Sequence, residues 1–456
     1  MVSPRQTWPG SMFANSNALP LLQQQIHGSQ LIPTTGTYPK GWRAGGWHSG
    51  VKKQKELPFP PKDLAIIASD ARFPVTASAV FTLNAFAAAP VKVSKEVIGK
   101  QRGTGLRAVV VNSGCANACT GEQGLQDAWR MSAVVDAALS KGDAASSKNH
   151  PETIVMSTGV IGQHLDMDKI VKGIEELAPN LEESHDGWLG AAEGIMTTDT
   201  FPKLRSQEFK TYRMAGWCKG AGMIHPNMAT MLSAVFTDAK LSKKALDAAT
   251  KYAADRSFNA ISIDGDTSTN DTFAVLANGA SASATLIDDI SSPEFLEFRD
   301  NLTSFAADLA KLIVRDGEGA TKFVEIRIKG AKTFVDARKV SSTIATSPLV
   351  KTALYGKDAN WGRIICAVGY SEIAGLNPDK VSLHVSSSSA ANGSNESIHL
   401  FKDGAPYESD EDKAARILEN EDLLLSVDLG MGKEEATMYT CDFSHDYISI
   451  NADYRS

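Results

Sequence analysis

The sequence predicts an α/β fold in which mixed sheets pack against flanking helices. Three observations predict it: short apolar runs rich in Val and Ile that end at Gly or Asp, longer stretches with apolar residues at helical spacing, and the alternation of the two along the chain. Asp63-Leu-Ala-Ile-Ile-Ala68 reads as the first buried strand, with ordered structure beginning near residue 35 and the Gly-rich segment between Trp42 and Trp47 reading as a turn. Ala108-Val-Val-Val-Asn112 is a second strand, leading into a Gly-rich turn. Leu125, Trp129, Val134 and Leu139 recur at helical spacing over 123–141, and Thr153-Ile-Val-Met-Ser157 is a strand that ends at Thr158-Gly159.

Downstream, helical patterns at 242–257 and 293–314 flank the strand Phe273-Ala-Val-Leu276, and Phe323-Val-Glu-Ile-Arg-Ile328 follows as another strand. Strands are expected near 363–368, 380–386, 396–401, 423–428 and 446–450, with a turn at Asp403-Gly404 and a short helix over 409–419. The Ser-, Ala-, Asn- and Gly-rich stretch from Ser386 to Ser394 reads as a hairpin loop, not as a linker between domains. No internal repeat is visible.

Hydrophobic residues make up 43% of the 456 and charged residues 22%, proportions of an ordinary globular chain that exclude collagen-like and coiled-coil classes. The net charge of −7, with no Lys/Arg stripe interleaved with aromatics, argues against nucleic acid as a partner. No apolar run reaches the roughly eighteen residues that cross a bilayer, so no membrane span is expected. Cys115, Cys119, Cys218, Cys366 and Cys441 are sparse and odd in number, which fits a reducing compartment. Cys115 and Cys119 lack a second Cys pair or a nearby His to complete a zinc tetrad; they read as small buried hydrophobes, and no metal is expected. Residues 1–55 contain no Asp or Glu but carry Arg5, Lys40, Arg43, Lys52, Lys53 and Lys55, so residues 1–34 read as a transit or disordered leader.

The most informative run is Lys219-Gly-Ala-Gly-Met-Ile-His-Pro-Asn-Met-Ala-Thr-Met-Leu-Ser233. Its Gly, Pro and Asn suit an irregular exposed strand before Ala229-Thr230. As a dinucleotide fingerprint it fails, because His225 stands where the third glycine belongs, and no P-loop occurs in the chain. Asn112-Ser-Gly-Cys-Ala-Asn-Ala-Cys-Thr-Gly121, Ser157-Thr-Gly159, Met196-Thr-Thr-Asp-Thr200, Asp264-Gly-Asp-Thr-Ser-Thr-Asn-Asp271, Asp316-Gly-Glu-Gly-Ala-Thr-Lys322, Lys357-Asp-Ala-Asn-Trp-Gly-Arg363 and Ile450-Asn-Ala-Asp-Tyr-Arg-Ser456 accompany it. Together, and in this order, these segments resemble the glutamate N-acetyltransferase (ornithine acetyltransferase) family of arginine biosynthesis over residues 35–456, in its eukaryotic mitochondrial form.

The resemblance implies an ornithine acetyltransferase/DmpA-like sandwich whose precursor cuts itself between Ala229 and Thr230, giving an alpha chain (35–229) and a beta chain (230–456) that begins with the nucleophile. The residue chemistry agrees. A threonine hydroxyl is a weak nucleophile and needs a base, and an α-amine on the same residue, with a pKa of about 7.7–8.0, supplies one at hydrogen-bond range. Before cleavage the same hydroxyl attacks the carbonyl of Ala229, whose small side chain leaves it accessible, and the extra methyl of Thr over Ser restricts χ1 and aims the oxygen.

By the same resemblance Thr158 and Gly159 form the oxyanion hole, at a strand end where glycine lets the backbone come close. Thr197, Lys219, Thr230, Glu318, Asn451 and Ser456 line the substrate pocket. Lys219 is suited to a carboxylate, Glu318 to the cationic side chain of ornithine, and Asn451 and Ser456 to neutral hydrogen bonds. The implied reaction is ping-pong transfer of acetyl from N-acetylornithine to glutamate, with acetyl-CoA as a further donor and no bound cofactor. Location in the mitochondrial matrix and assembly of two copies of each chain go with it. His225 reads as structural, because the amine of Thr230 already fills the base's role, and the Asp264–Asp271 cluster departs from a calcium loop at its sixth and twelfth positions, Thr269 and Val275. Two rivals differ in testable ways: a self-processing N-terminal-threonine aminopeptidase or amidase uses water as acceptor, and an uncut amino-acid-binding protein stays full length.

Overall fold

A computed structural model describes residues 28–52, 60–140, 151–225, 231–283, 285–387, 396–408 and 410–452. In chain order the strands are β1 (Trp42–Trp47), β2 (Leu64–Ser69), β3 (Val75–Phe81), β4 (Thr104–Leu106), β5 (Ala108–Cys115), β6 (Thr153–Val160), β7 (Lys203–Glu208), β8 (Arg213–Lys219), β9 (Leu232–Thr237), β10 (Ile261–Ser262), β11 (Thr272–Ala277), β12 (Phe323–Ala331), β13 (Ser382–Ser387), β14 (Ser397–Lys402), β15 (Ala405–Pro406), β16 (Asp422–Asp428) and β17 (Glu434–Cys441). They form three sheets, ordered β1-β2-β5-β6, β4-β3-β11-β9-β8-β7 and β10-β17-β12-β16-β13-β14-β15. Each sheet mixes parallel and antiparallel pairs: β5 and β6, β9 and β11, and β12 and β16 are parallel.

The first two sheets stack face to face between layers of helices. Side chains alternate across a strand, so a strand covered on both faces is apolar throughout. In β9, Leu232, Ala234 and Phe236 enter the core shared with the four-stranded sheet, whereas Val235 enters the core beneath helices Lys243–Arg256 and Pro293–Arg315. β8 and β11 divide the same way, Trp217 and Leu276 to one side, Met214 and Val275 to the other. Fully burying one such side chain contributes about 1.5–3 kcal/mol, which fixes the register of the central strands against a one-residue slip. Ser242 and Ser292 cap the two helices, accepting from the backbone N–H of Ala245 at 3.3 Å and of Phe295 at 3.1 Å. The third sheet builds a separate core with helices Phe334–Ala345, Pro348–Tyr355, Trp361–Gly369 and Glu411–Glu419.

Four sequence expectations are corrected. Residues 363–368, expected as a strand, lie in the helix Trp361–Gly369, which buries Ile364, Ala367 and Val368 at helical spacing. Residues 446–450 lie in the helix His445–Ala452, started by the Ser444 hydroxyl accepting from Tyr447 N–H at 3.3 Å; Ile448 is exposed instead of paired in a sheet. Trp42–Trp47 is a strand paired with β2, and its glycines serve packing: a Cβ on Gly46 would stand 1.8 Å from the carbonyl oxygen of Gly190, in the helix His185–Gly194 laid across it. Cys115 is buried at the end of β5 as expected, but Cys119 is exposed in the following loop, with φ of +57°. The stretch 388–395 lies outside the described residues, while β13 and β14 on either side pair antiparallel.

Candidate active site

The two stacked sheets end together where β6 and β8 finish and β9 and β11 begin, and a cleft of about 270 Å³ opens there. Thr158, Gly159, Thr197, Lys219, Glu318 and Asn451 all line it, brought from five separate stretches of sequence, Thr158 and Gly159 being adjacent. Met231 and Leu232 line it too, so the chain enters β9 at the cleft wall directly after position 230. Ala229, Thr230 and Ser456 lie outside the described residues.

The end of β6 is held by amides. Asn112 Oδ1 accepts from the Ser157 hydroxyl at 2.6 Å, and Asn270 Nδ2 donates to the carbonyls of Ser157 at 2.8 Å and Ala116 at 2.6 Å. Gly159 has φ of +128°, and a Cβ there would stand 2.3 Å from the carbonyl carbon of Gly114, so only glycine lets the two strands approach this closely. Lys219, the last residue of β8, points its ammonium at the Thr158 hydroxyl oxygen, 3.2 Å away. Burial holds the Lys219 amine below its ordinary pKa, opposed by Asp199, Glu318 and Asp271 and reinforced by Lys203.

Across the cleft, Glu318 follows the helix Pro293–Arg315 in a turn fixed by its N–H donating to the Ala221 carbonyl at 2.8 Å. Its Oε2 accepts from Asn451 Nδ2, also at 2.8 Å, and Asn451 belongs to the helix His445–Ala452. That helix is tied further by the Tyr447 hydroxyl, which donates to Asp264 at 3.3 Å. The Asp264 carboxylate also accepts from the N–H groups of Met223 at 2.5 Å and Ile224 at 2.8 Å, so it shapes the turn after β8. His225 does not line the cleft; its Nδ1 lies 3.2 Å from the Ser262 hydroxyl, and burial lowers its pKa.

Sequence reasoning missed several groups. Asp271, 2% exposed, lines the cleft; burial raises its pKa well above the carboxylate range, against hydrogen bonds from Ser268 and the backbone of Met231. Behind the cleft, Lys203 Nζ donates to Asp199 Oδ1 at 2.6 Å and to Asp316 Oδ2 at 2.5 Å, with all three side chains sealed from solvent. Burial would raise Asp199, but Lys203 and Lys219 outweigh it and hold the carboxyl far below its usual range, whereas burial and the neighbouring Asp199 keep Asp316 above it. The signal was present in the segments 196–200, 264–271 and 316–322, which carry more polar residues than turns require. Spacing alone could not pair Lys203 with Asp316, 113 positions away.

The model of the ArgJ family matches residues 43–456. The mitochondrial arginine biosynthesis bifunctional protein ArgJ of Yarrowia lipolytica is 52% identical over 432 residues, covering 94% of this chain and 96% of that one. The protein of the same name from Aspergillus terreus is 50% identical over 444 residues, 94% of each chain. Among solved structures, the argJ protein of Bacillus halodurans is 36% identical, with a TM-score of 0.43 over 47% of this chain and 95% of its own. Mycobacterium tuberculosis ornithine acetyltransferase, solved with ornithine, is 32% identical, with a TM-score of 0.35 over 44% of this chain and 98% of its own. With the family model matched over residues 43–456 and at least half the residues identical over 94–96% of the two fungal relatives, this chain belongs to the ArgJ family.

Proposed function

We propose that the chain is a glutamate N-acetyltransferase of arginine biosynthesis that moves acetyl from N-acetylornithine to glutamate through an acetyl ester on Thr230, and that also accepts acetyl-CoA as donor. The observation that carries the reading is the convergence of Thr158, Gly159, Thr197, Lys219, Glu318 and Asn451 on one cleft, at the wall where Met231 enters β9. The precursor first divides. Thr230 Oγ attacks the Ala229 carbonyl, the acyl group moves from nitrogen to oxygen, and water hydrolyses the ester, leaving 35–229 as one chain and 230–456 as the other.

In the cut protein the α-amine of Thr230 takes the hydroxyl proton as Oγ attacks the acetyl carbonyl, and returns it to the departing nitrogen of ornithine. Thr158 and Gly159 meet the charge that builds on the carbonyl oxygen; one such donor is worth roughly 3–4 kcal/mol of barrier. Lys219 receives the substrate carboxylate, Glu318 the ornithine side-chain cation, and Thr197, Asn451 and Ser456 complete the polar lining. Glutamate then enters, its amine attacks the ester, and N-acetylglutamate leaves. With acetyl-CoA as donor, the leaving group is the CoA thiol.

The fungal relatives carry mitochondrial names and residues 1–55 lack acidic side chains, which supports a matrix enzyme with its leader in 1–34; the assembly that goes with this reading is two copies of each chain. No helix among the described residues is long and apolar enough to cross a membrane. A hydrolase of the same architecture is not favoured by membership of the ArgJ family. The test is intact mass and acetyl transfer, side by side. The wild-type precursor yields two fragments divided at 229/230 and makes N-acetylglutamate; Thr230→Ala stays whole and makes none. A Thr230→Ala protein that is cut and active overturns the mechanism, and an active wild type that stays whole overturns the role of cleavage.

A further inference from the structure

Three buried charges stand behind the cleft without lining it: Asp199, Lys203 and Asp316. They join three stretches that do reach it. Asp199 accepts from the N–H groups of Thr197 at 2.9 Å and Gly220 at 2.8 Å, next to Lys219. Asp316, two residues before Glu318, accepts from Thr200 N–H at 2.9 Å and from the Thr200 hydroxyl.

Lys203 and Lys219 exert the largest cationic pull on Asp199, ahead of that of Lys52. Both Lys203 and Lys219 act electrostatically on its carboxylate, yet only Lys203 reaches it, at 2.6 Å. Among the described residues no carboxylate comes within ion-pair distance of Lys219, whose ammonium instead touches the Thr158 hydroxyl. A buried carboxylate stripped of its counter-ion is strongly disfavoured and turns to the next cation available. For Asp199 that cation is Lys219, because Lys52, whose charge also acts on Asp199, donates its Nζ to the Lys62 carbonyl at 2.8 Å.

We propose that Lys203 is a positioning residue for substrate binding: by occupying Asp199 it keeps that carboxylate from closing on Lys219, so the Lys219 ammonium stays in the cleft for the α-carboxylate of the incoming amino acid. The proposal rests on the reading that Lys219 meets a substrate carboxylate. It differs from a purely structural cross-link in one consequence. If Lys203 acts by occupying Asp199, then removing the Asp199 charge as well restores binding, although the cross-link is still missing.

The experiment compares Lys203→Met with Lys203→Met/Asp199→Asn in the full-length protein, measuring KM and kcat for N-acetylornithine and glutamate and checking cleavage by intact mass. Lys203→Met is expected to raise KM for both amino acids by roughly tenfold or more, with a smaller change in kcat, and the double variant to return KM to within about threefold of wild type. A single variant with wild-type KM, or a double variant no better than the single, overturns the proposal. Where Lys203→Met does not fold, Asp199→Asn and the double variant carry the test: near-wild-type KM in both supports it, and KM raised roughly tenfold in a folded double variant overturns it. Wild-type protein is assayed first. Absence of transfer there defeats the acetyltransferase reading alone, and the variants are then compared by calorimetric titration with ornithine, with the same outcomes expected of Kd.

Discussion

The ammonium of Lys219 lies 3.2 Å from the hydroxyl oxygen of Thr158, which couples the group proposed to receive the substrate carboxylate to the group proposed to stabilise the oxyanion. Because Lys219 can only donate, Thr158 accepts from it and its own O–H is turned elsewhere. The two functions are therefore not independent. Lys219→Met is expected to raise KM and lower kcat together, with kcat/KM down roughly 100- to 1,000-fold, and Thr158→Val to lower kcat with little change in KM. Steady-state kinetics of the purified variants decides; a Lys219→Met enzyme changed in KM alone would break the coupling.

Gly159 has a second constraint besides its position in the cleft. Alanine there meets a positive φ of 128° and the Gly114 backbone at 2.3 Å, and neither can relax without parting β5 from β6. Gly159→Ala is expected to lose about 1–3 kcal/mol from backbone strain alone and to lose acetyl transfer altogether. Denaturant unfolding and the transfer assay report the two effects separately. A Gly159→Ala protein of wild-type stability would mean that the strands have more room than the geometry allows.

Asn451 holds Glu318 Oε2 at 2.8 Å from a helix with no buried side chain, so its hydrogen bonds rather than packing seat it on the cleft. Asn451→Ala removes one neutral donor from a carboxylate, worth about 1 kcal/mol, and is expected to raise KM for N-acetylornithine about threefold to tenfold. Glutamate has no side-chain cation to meet Glu318, so its KM moves less. Equal increases for both substrates would remove Glu318 from the recognition of ornithine.

What could be read in the sequence follows from how local each signal is. The strands at 64–69, 108–115 and 153–160 are built on short apolar runs, that at 323–331 alternates apolar with charged residues, and the helices at 243–256 and 293–315 carry both periodicity and Ser caps, so their position was visible without the fold. Ile364-Ile-Cys-Ala-Val368 and Tyr447-Ile-Ser-Ile450 also carry several β-branched residues, yet they are helical because a neighbouring core or a capping serine sets their conformation. The lining residues were legible as motifs. The Lys203 cluster was not, since a buried lysine between two aspartates is defined by contacts between distant segments.

Asp136 offers a measurement of burial independent of the cleft. It sits in the helix Gly121–Leu139 and accepts from Glu152 N–H at 2.9 Å and the Thr153 hydroxyl at 2.6 Å; burial nevertheless pushes its pKa up to about 6. The unfolded chain has the ordinary value of about 3.9, so at low pH both states hold the proton and the group is neutral to stability. Between about pH 4 and pH 6 the unfolded chain releases its proton first, and stability falls as pH rises until the full penalty, about 3 kcal/mol at most, is reached above pH 6. Asp136→Asn removes that penalty while weakening one hydrogen bond by about 1 kcal/mol. The variant is therefore expected to be the more stable protein at pH 8 and the less stable one at pH 4, with the two denaturation curves crossing between. If the difference between variant and wild type is the same at both values, the carboxyl titrates as it would in water and its burial carries no electrostatic cost.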